Sequence, residues 1–551
     1  MVGVTRKPEG SEDSGYGSVS SAGSQISIER WIAGKDKFRV SADGQIPLLW
    51  RSKSLPVSVE VKDAYNSLVS PQIPAILARY ELSFVGERLH RLQPLDGAYE
   101  TRDVIGISTR DERPGRAWRD AVNEVLSLVK ENIPDSQSIQ ILLVNTDRMY
   151  DDVSSALPND PSIVGPLEQV KSRIVEEVEI SMSDLRPSIA FHMRRRRNDF
   201  SASRKPTVII FCHPHSVSDF PAVEEKILNI LNELDIAVFL EILPGKLVLT
   251  NPGFILRRMR ISPEELPEHP VNGSSIGVKG RGDSAGTLGG WLILNLPREK
   301  RQIKCALTCY HVVRSNDPSV TAHTDAHGIH WNDKRGRLSI EYPASLDTQI
   351  AMARLDELRQ FHPDDQQLRQ QQRMLSELVA GPGIGKVLLA SGHQVRDNHR
   401  LNWALIESPE TFSSNRPPST RQGSFALPTS GPLYRPHPDA KITQFAIPKE
   451  DNWVVRTGRT TIASASISSM KKVEWPSGFF TQEIELVSED DDVADEGDSG
   501  SFVVNREGNL VGMIFAVYRS PSRFHTAYMM TFDSIQSHVK DMTDGGFLSF
   551  D

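Results

Sequence analysis

The sequence GDSGS at residues 497–501, followed directly by the apolar run 502–504, decides the fold. A second apolar run, 510–515, follows a polar turn, so the pattern predicts a serine on the loop before a β-hairpin. A glycine two residues before that serine permits the sharp turn that aims the N–H groups of Gly497 and Ser499 at one developing oxyanion. The stretch therefore predicts an acyl-transfer site with Ser499 as nucleophile. The alternative is a tight Gly/Asp/Ser turn in a β-protein.

A second motif, IKCALTCYHVV at residues 303–313, is a strand-like run that ends in a histidine. Together the two motifs resemble the chymotrypsin-like serine proteases, whose base lies in a small-x-x-His-Val segment and whose nucleophile lies in GDSG. The order, base first and nucleophile last, is not that of subtilisin or the α/β-hydrolases. The resemblance implies His311 as general base, Ser499 as nucleophile, and the N–H groups of Gly497 and Ser499 as oxyanion hole.

Two further segments extend the resemblance. AGTLGGW at residues 285–291 and GRTT at residues 458–461 are similar to segments of fungal intracellular members of that family. The fungal members continue the second segment with glycines, whereas this chain has IASAS at residues 462–466. The resemblance covers about residues 265–540. It implies an all-β chymotrypsin-like double β-barrel, which would follow an α/β or α+β N-terminal domain.

The position of the triad acid departs from the family. Where the family has an aspartate before W-A-L-I, this chain has Asn402. An amide cannot supply the charge that stabilises a protonated histidine, and it can favour the wrong tautomer. Replacement of the acid by its amide costs about four orders of magnitude in turnover in a serine triad. An impaired or inactive protease is therefore a serious alternative to an active one.

Two aspartates are alternative acids. Asp347 precedes apolar residues at helical spacing that continue through Leu358, so it is better interpreted as the N-cap of a helix. Asp397 lies in a predicted hairpin loop five residues before Asn402. Asn402 remains the favoured structural equivalent of the acid.

The resemblance also places a specificity pocket before the serine and along the strand after it. The residues that would line it are Val493, Ala494, Met513 and Phe515. These side chains predict a small or apolar residue before the scissile bond. No metal and no organic cofactor is expected, and Asp498 is expected to brace the nucleophile loop.

Composition narrows the class of protein. The 551 residues carry a net charge of −8, which does not suggest binding to nucleic acid or to an anionic membrane. No run of 18 apolar residues and no secretory leader is visible, so neither a membrane span nor export is expected. The 3 cysteines include Cys305 and Cys309, which would lie about 13 Å apart on a strand, too far for a disulfide. A reduced, cytoplasmic protein is expected. The basic run Arg194–Arg197 is interpreted as a solvated loop, with a nuclear-import signal as the weaker alternative.

Composition also suggests domain boundaries. We expect a disordered tail at 1–45, an α/β regulatory or interaction domain at 46–255 and a protease-like domain at 256–545, with a helical insertion at 347–380 and an inter-barrel loop at 408–440. Residues 13–18 of the tail match the form of a phosphodegron, although a plain flexible tail is favoured.

Two hypotheses for the function follow. The first is an intracellular serine endopeptidase that acts on protein or peptide substrates, with self-cleavage or a prodomain contact as its regulation. The second, favoured by Asn402, is a pseudoprotease that binds a partner through its cleft. A signalling module that recruits partners through the N-terminal domain is a weaker third.

Overall fold

The structure is a computed structural model. It describes residues 25–42, 52–94, 101–133, 139–150, 152–196, 199, 201–248, 269–283, 285–334, 336–408, 414–417, 436–437, 439–450, 453–460, 462–476, 479–488, 493–520 and 525–551. The phosphodegron-like residues 13–18 and most of the predicted inter-barrel loop at 408–440 lie outside these residues.

The N-terminal half contains twelve strands and six α-helices among its described residues. In chain order they are β1 (Ile26–Ser27), α1 (Ile28–Lys35), β2 (Arg39–Ser41), β3 (Ser52–Leu55), α2 (Val59–Ala64), α3 (Ile73–Arg79), β4 (Gly86–Pro94), β5 (Arg102–Thr109), α4 (Arg116–Asn132), β6 (Ile139–Asn145), β7 (Asp152–Ala156), α5 (Pro161–Met182), β8 (Ser188–Arg196), β9 (Lys205–Cys212), β10 (Val217–Ser218), α6 (Phe220–Leu231), β11 (Phe239–Pro244) and β12 (Lys246–Val248).

The C-terminal half is mostly β-structure. Its elements are β13 (Ser275–Val278), β14 (Gly286–Thr287), β15 (Gly290–Leu296), β16 (Arg301–Thr308), α7 (Tyr310–Val313), α8 (Pro318–His327), β17 (Ser339–Glu341), α9 (Ser345–Phe361), α10 (Gln366–Ala380), β18 (Gly385–Ala390), β19 (Val395–Arg396), β20 (His399–Arg400), β21 (Ala404–Glu407), β22 (Trp453–Thr457), β23 (Ile462–Ile467), β24 (Lys472–Glu474), β25 (Thr481–Val487), β26 (Phe502–Asn505), β27 (Leu510–Arg519), β28 (His525–Thr531), α11 (Phe532–Met542) and β29 (Phe547–Ser549).

The first part of the N-terminal half is a five-stranded sheet in the order β2-β6-β5-β4-β3, in which β5 and β6 are parallel. Helix α4 covers it with an apolar face that includes Trp118 and Val125, both fully buried. These side chains pack with Ile105 and Ile141 of the sheet in a core cluster separate from the rest of the molecule's.

The second part is a strand–helix–strand unit. Strands β9 and β11 pair in parallel, with α6 between them in the chain. Strand β8 pairs antiparallel with β9 and, through Ile189, with Val473 of β24 in the C-terminal half. The sheet of this unit is thus continuous with a sheet of the C-terminal half, and the two share one core cluster.

The C-terminal half is a chymotrypsin-like double β-barrel, as predicted. In its second barrel, strands β22, β23, β25, β28, β27 and β26 pair in a ring, because β26 pairs back onto β22. The first is a half-barrel, an eight-stranded sheet in the order β14-β13-β17-β18-β21-β16-β15-β29. Helices α9 and α10 form the predicted helical insertion, between β17 and β18.

Two local expectations were wrong. Helix α9 begins at Ser345 with Ala344 as its N-cap, so Asp347 lies in the first turn instead of at the cap. The basic run does not form a solvated loop, because Arg194 is buried on β8, with a guanidinium nitrogen 2.9 Å from a carboxylate oxygen of Glu241.

No helix among the residues described is long and apolar enough to cross a membrane.

Candidate active site

His311 and Asn402 meet because the two strands that carry them are neighbours in the first barrel. Strands β16 and β21 run antiparallel, with Thr308 opposite Ala404. His311 follows the C-terminal end of β16 on the short helix α7, and Asn402 precedes the N-terminal end of β21. Both therefore lie at the same end of the sheet, where the Tyr310 N–H donates to the Asn402 carbonyl at 3.2 Å.

The side chains of His311 and Asn402 are hydrogen-bonded. The His311 backbone N–H donates to Oδ1 of Asn402 at 3.1 Å, which fixes the orientation of the amide because a flipped amide would present a second donor. Nδ1 of His311 lies 3.1 Å from Oδ1 and 2.9 Å from Nδ2 of the same amide. Asn402 is thus the residue whose side chain contacts Nδ1 of His311.

These two contacts correspond to two tautomers. If Nδ1–H donates to Oδ1, then Nε2 is unprotonated and can accept a proton from a nucleophile. If Nδ1 accepts from Nδ2–H, then Nε2 carries the proton and cannot act as a base. An aspartate, which only accepts, would exclude the second arrangement. The amide of Asn402 permits both.

His311 is a neutral imidazole at neutral pH. Burial, with smaller contributions from His393 and Arg314, lowers the pKa of His311 from its usual 6.5 to about 4, and the hydrogen bond to Asn402 opposes this shift only in part. Its Nε2 is buried and has no hydrogen-bond partner in the described part of the chain. Protonation of His311, which general-base catalysis requires, is therefore costly at this site.

Ser499 lies on the loop that precedes β26 and is fully buried. Its hydroxyl donates to the carbonyl of Phe515 on β27 at 3.1 Å. The next residues join the same strand, since the Gly500 N–H donates to the Ile514 carbonyl at 2.9 Å and the Ile514 N–H donates to the Ser501 carbonyl at 3.0 Å. A rotation of the Ser499 hydroxyl away from Phe515 is needed before it can donate to His311.

Asp498 braces the nucleophile loop, as the sequence predicted. Its side chain is fully buried, with one carboxylate oxygen 2.9 Å from a guanidinium nitrogen of Arg456. It also accepts from the backbone N–H groups of Thr460 at 2.8 Å and Asp495 at 3.0 Å. A carboxylate with a charged partner and two backbone donors compensates its own burial and fixes the loop around it.

The AGTLGGW segment joins the base strand to the nucleophile loop, a role that sequence reasoning missed. The Thr287 N–H donates to the Ser499 carbonyl at 2.9 Å, and the Thr287 carbonyl accepts from the Thr308 hydroxyl at 2.7 Å. The Thr287 hydroxyl donates to the Gly497 carbonyl at 2.7 Å. The absence of a side chain at Gly289 is required here, because a Cβ would lie 2.5 Å from the carbonyl oxygen of Gly500.

The GRTT segment holds the same loop from the other side. The Arg459 N–H donates to the Thr287 hydroxyl at 2.9 Å. The Arg459 guanidinium packs against Gly497, where any Cβ would clash with it, and the positive φ of 92° at Gly497 also excludes other residues. The resemblance had identified both segments by their glycines and threonines, but it could not assign these contacts.

Asp347 takes part in this second network. Nε of Arg459 lies 2.5 Å from Oδ2 of Asp347, Nη2 of Arg459 pairs with Oδ1, and the Ser275 hydroxyl also donates to Oδ2. The carboxylate is buried and both of its oxygens are engaged. The structure thus places this alternative acid against the nucleophile loop, through Arg459, while Asn402 takes the position beside His311.

Asp397 lies at the tip of the hairpin of β19 and β20, and its side chain is 87% exposed. Asp397 and Asn398 both have positive φ angles, 50° and 61°, as expected for a two-residue turn of type I′. The turn geometry directs this carboxylate to solvent.

The four predicted pocket residues are all buried, and they fall in two core clusters. Val493 and Ala494 pack in a core cluster with Ile514. Met513 and Phe515 belong to the other, larger cluster. Side chains alternate across a strand, and β27 has an irregularity between Ile514 and Ala516, so neighbouring residues of this strand face different cores.

Cys309 does not offer an alternative nucleophile. It is fully buried, and its thiol donates to the Ile514 carbonyl at 3.2 Å. Burial raises the pKa of the Cys309 thiol far above its usual range, so the thiolate needed for attack is absent at neutral pH.

Known proteins resemble this chain only at low identity. No family model and no curated protein matches the chain. Among solved structures, protease A of Thermobifida fusca is similar over 51% of this chain and 98% of its own, with 11% identity and a TM-score of 0.27. The chymotrypsin of Cellulomonas bogoriensis is similar over 51% of this chain and 97% of its own, with 12% identity and a TM-score of 0.27. The Nocardiopsis protease is similar over 51% of this chain and 98% of its own, with 11% identity and a TM-score of 0.26. Because these likenesses are remote, we base the functional proposal on the site's own residues.

Proposed function

We propose that the chain is a serine endopeptidase in which Ser499 is the nucleophile and His311 the general base, with catalysis slowed by Asn402. The observation that supports this proposal is that buried ion pairs fix the loop that carries Ser499. Two buried ion pairs, Arg456 with Asp498 and Arg459 with Asp347, hold residues 497–499 in place. Buried charges are expensive unless paired, and here the pairs converge on the one loop that carries the serine.

The reaction follows from the atoms present. After rotation, Oγ of Ser499 attacks the carbonyl carbon of the peptide while Nε2 of His311 accepts the hydroxyl proton. The C–N bond then breaks, and His311 donates this proton to the leaving amine. Water attacks the resulting ester with His311 again as base, which releases the new carboxyl group and restores Ser499. The N–H groups of Gly497 and Ser499 are assigned to the oxyanion in both steps.

Asn402 limits the first of these steps. Proton transfer makes His311 an imidazolium in a buried position, with an uncharged amide at Nδ1. The neighbouring carboxylate of Asp325 is engaged with the Arg314 guanidinium at 2.8 Å and with the Tyr310 hydroxyl at 2.8 Å. We therefore expect slow acylation that is nevertheless faster than the uncatalysed reaction, because the oxyanion hole and binding alone retain catalysis of about 10³–10⁴-fold.

The second candidate function is a pseudoprotease that binds peptide without cleaving it. Two observations favour it: the Ser499 hydroxyl donates to Phe515, and Nε2 of His311 has no hydrogen-bond partner among the described residues. For either function we propose a cytoplasmic location, as expected from the sequence.

A fluorophosphonate probe separates the two candidates. Full-length protein and a Ser499→Ala control are incubated with the probe, and their intact masses are compared over hours. An adduct on the wild-type protein alone supports the endopeptidase. If no adduct forms on wild type or on Asn402→Asp, the chain is a pseudoprotease.

A further inference from the structure

A strand from the N-terminal half pairs with the edge of β27 beside Ser499. Strand β12 pairs antiparallel with the end of β27, with Lys246 opposite Arg519, Leu247 opposite Tyr518 and Val248 opposite Val517. The other edge of β27 is taken by β28 over the same stretch, where Val517 lies opposite Ala527. Strand β12 therefore lies on the edge that also carries the nucleophile loop.

The order of partners along this edge is what matters. Strand β26 pairs with β27 as far as Met513, Gly500 and Ser501 bond to Ile514, and the Ser499 hydroxyl bonds to Phe515. Strand β12 begins at Val517, two residues further, which is about 7 Å at the rise of a strand. Because the pairing is antiparallel, Val248 is the end of β12 nearest to Ser499.

We propose that β12 is a built-in occupant of the edge on which an extended peptide substrate would pair, so that substrate binding requires its displacement. This inference rests on the proposed function, since it names the regulation of the same site. An extended peptide binds an open sheet edge through main-chain hydrogen bonds, and β12 uses those of Val517–Arg519 in this structure.

Strand β12 is anchored by the residue that precedes it. The Gly245 N–H donates to the Cys212 carbonyl at 2.9 Å. A Cβ at Gly245 would lie 2.5 Å from the ring of Tyr518 and 2.9 Å from that of Phe211, so only glycine permits this approach to β27. The parent sheet is itself fixed, because His192 of β8 and Glu485 of β25 make a buried contact of 2.9 Å.

The first test measures binding without chemistry. In a Ser499→Ala background, a fluorescein-labelled peptide with the sequence of residues 242–248 is titrated and its polarisation followed. Gly245→Ala should weaken the docking of β12 and tighten peptide binding by about tenfold, because the apparent Kd rises as the competent fraction falls. The matched control is Gly165→Ala, a helical position at which a Cβ meets nothing within 4 Å.

The second test works in the opposite direction and guards against unfolding. Val248 and Val517 lie directly opposite each other, at a separation that suits a disulfide. In Val248→Cys/Val517→Cys the native cysteines, all buried, leave the new pair to react with each other. Oxidation should abolish peptide binding in the Ser499→Ala background, and reduction should restore it.

The outcomes separate this inference from the proposed function. Equal peptide affinity in the Gly245→Ala and Gly165→Ala proteins, or binding that survives oxidation, overturns the role of β12, whatever the fluorophosphonate result. If Asn402→Asp forms no fluorophosphonate adduct, the endopeptidase proposal is wrong. The two binding results still decide whether β12 occupies the edge of β27 on which a peptide would pair.

Discussion

The two sides of the candidate site differ in charge. On the nucleophile side, Arg456 with Asp498 and Arg459 with Asp347 place four paired, buried charges around the serine loop. On the base side, His311 is bonded to a neutral amide and is itself neutral. The nucleophile side is built to hold a fixed geometry, whereas the base side lacks the charge that proton transfer needs. Chemistry in this chain should therefore respond most to charge at residue 402.

The largest effect is expected from Asn402→Asp. A carboxylate at this position excludes the unproductive tautomer and stabilises the imidazolium of His311, which should raise the acylation rate by up to about 10⁴-fold. The rate constant of fluorophosphonate labelling measures it, with Asn402→Asp/Ser499→Ala as the unreactive control. A folded Asn402→Asp protein that labels no faster than wild type would mean that the base side is limited by something other than charge.

The second effect tests the nucleophile side. Asp498→Asn leaves Arg456 buried without its charged partner and should cost about 3–5 kcal/mol in the free energy of unfolding. Glu377→Gln is the matched control: it breaks an ion pair with Arg373 in which both side chains are mostly exposed, so a much smaller loss is expected. Urea unfolding compares the free energies of unfolding of the two variants, and hydrogen exchange compares the local stability of β26 and β27. Equal, small losses would contradict the idea that this side is stabilised by its ion pairs.

The sequence predicted the parts of this comparison that depend on local pattern. A glycine-serine loop before an apolar hairpin, and a histidine at the end of an apolar run, indicated where Ser499 and His311 lie relative to their strands. The departure at Asn402 was visible because it sits in an otherwise matching segment. The double barrel and its helical insertion were predicted correctly from the same segments and their resemblance.

Contacts between distant segments were not predictable in the same way. Asp347 was read within its own helix, and its partner Arg459 lies on a segment of the other barrel. The pocket residues were assigned by position before and after Ser499, and position alone does not show that Val493 and Ala494 pack in one core cluster while Met513 and Phe515 pack in another. The pairing of β12 with β27 joins segments more than 260 residues apart, for which a period of apolar residues gives no partner.

The third effect concerns the link between Asp347 and the proposed oxyanion hole at Gly497. In the Asn402→Asp background, Asp347→Asn should loosen the Arg459 guanidinium against Gly497 and lower kcat by about 10²-fold with little change in KM. Asp283→Asn, which removes a carboxylate that is 61% exposed from its pair with Arg281, serves as control. Steady-state hydrolysis of a peptide substrate gives both constants. A rise in KM at constant kcat would assign Asp347 to substrate binding instead.

The smallest effect is a displaced pH profile. With its pKa lowered to about 4, His311 stays unprotonated, so wild-type labelling should remain level from pH 8 down to about pH 5. In Asn402→Asp the new carboxylate favours the imidazolium, which raises the pKa of His311 and moves the acid limb of the labelling rate upward by about 2 pH units. The free energy of unfolding of the wild-type protein should also depend on pH. In wild type, the unfolded chain binds a proton at His311 between about pH 6.5 and 4 that the folded chain does not, so the free energy of unfolding falls as the pH is lowered through that window. Coincident acid limbs near pH 6.5 in both proteins would show that the base side carries a charge from another source.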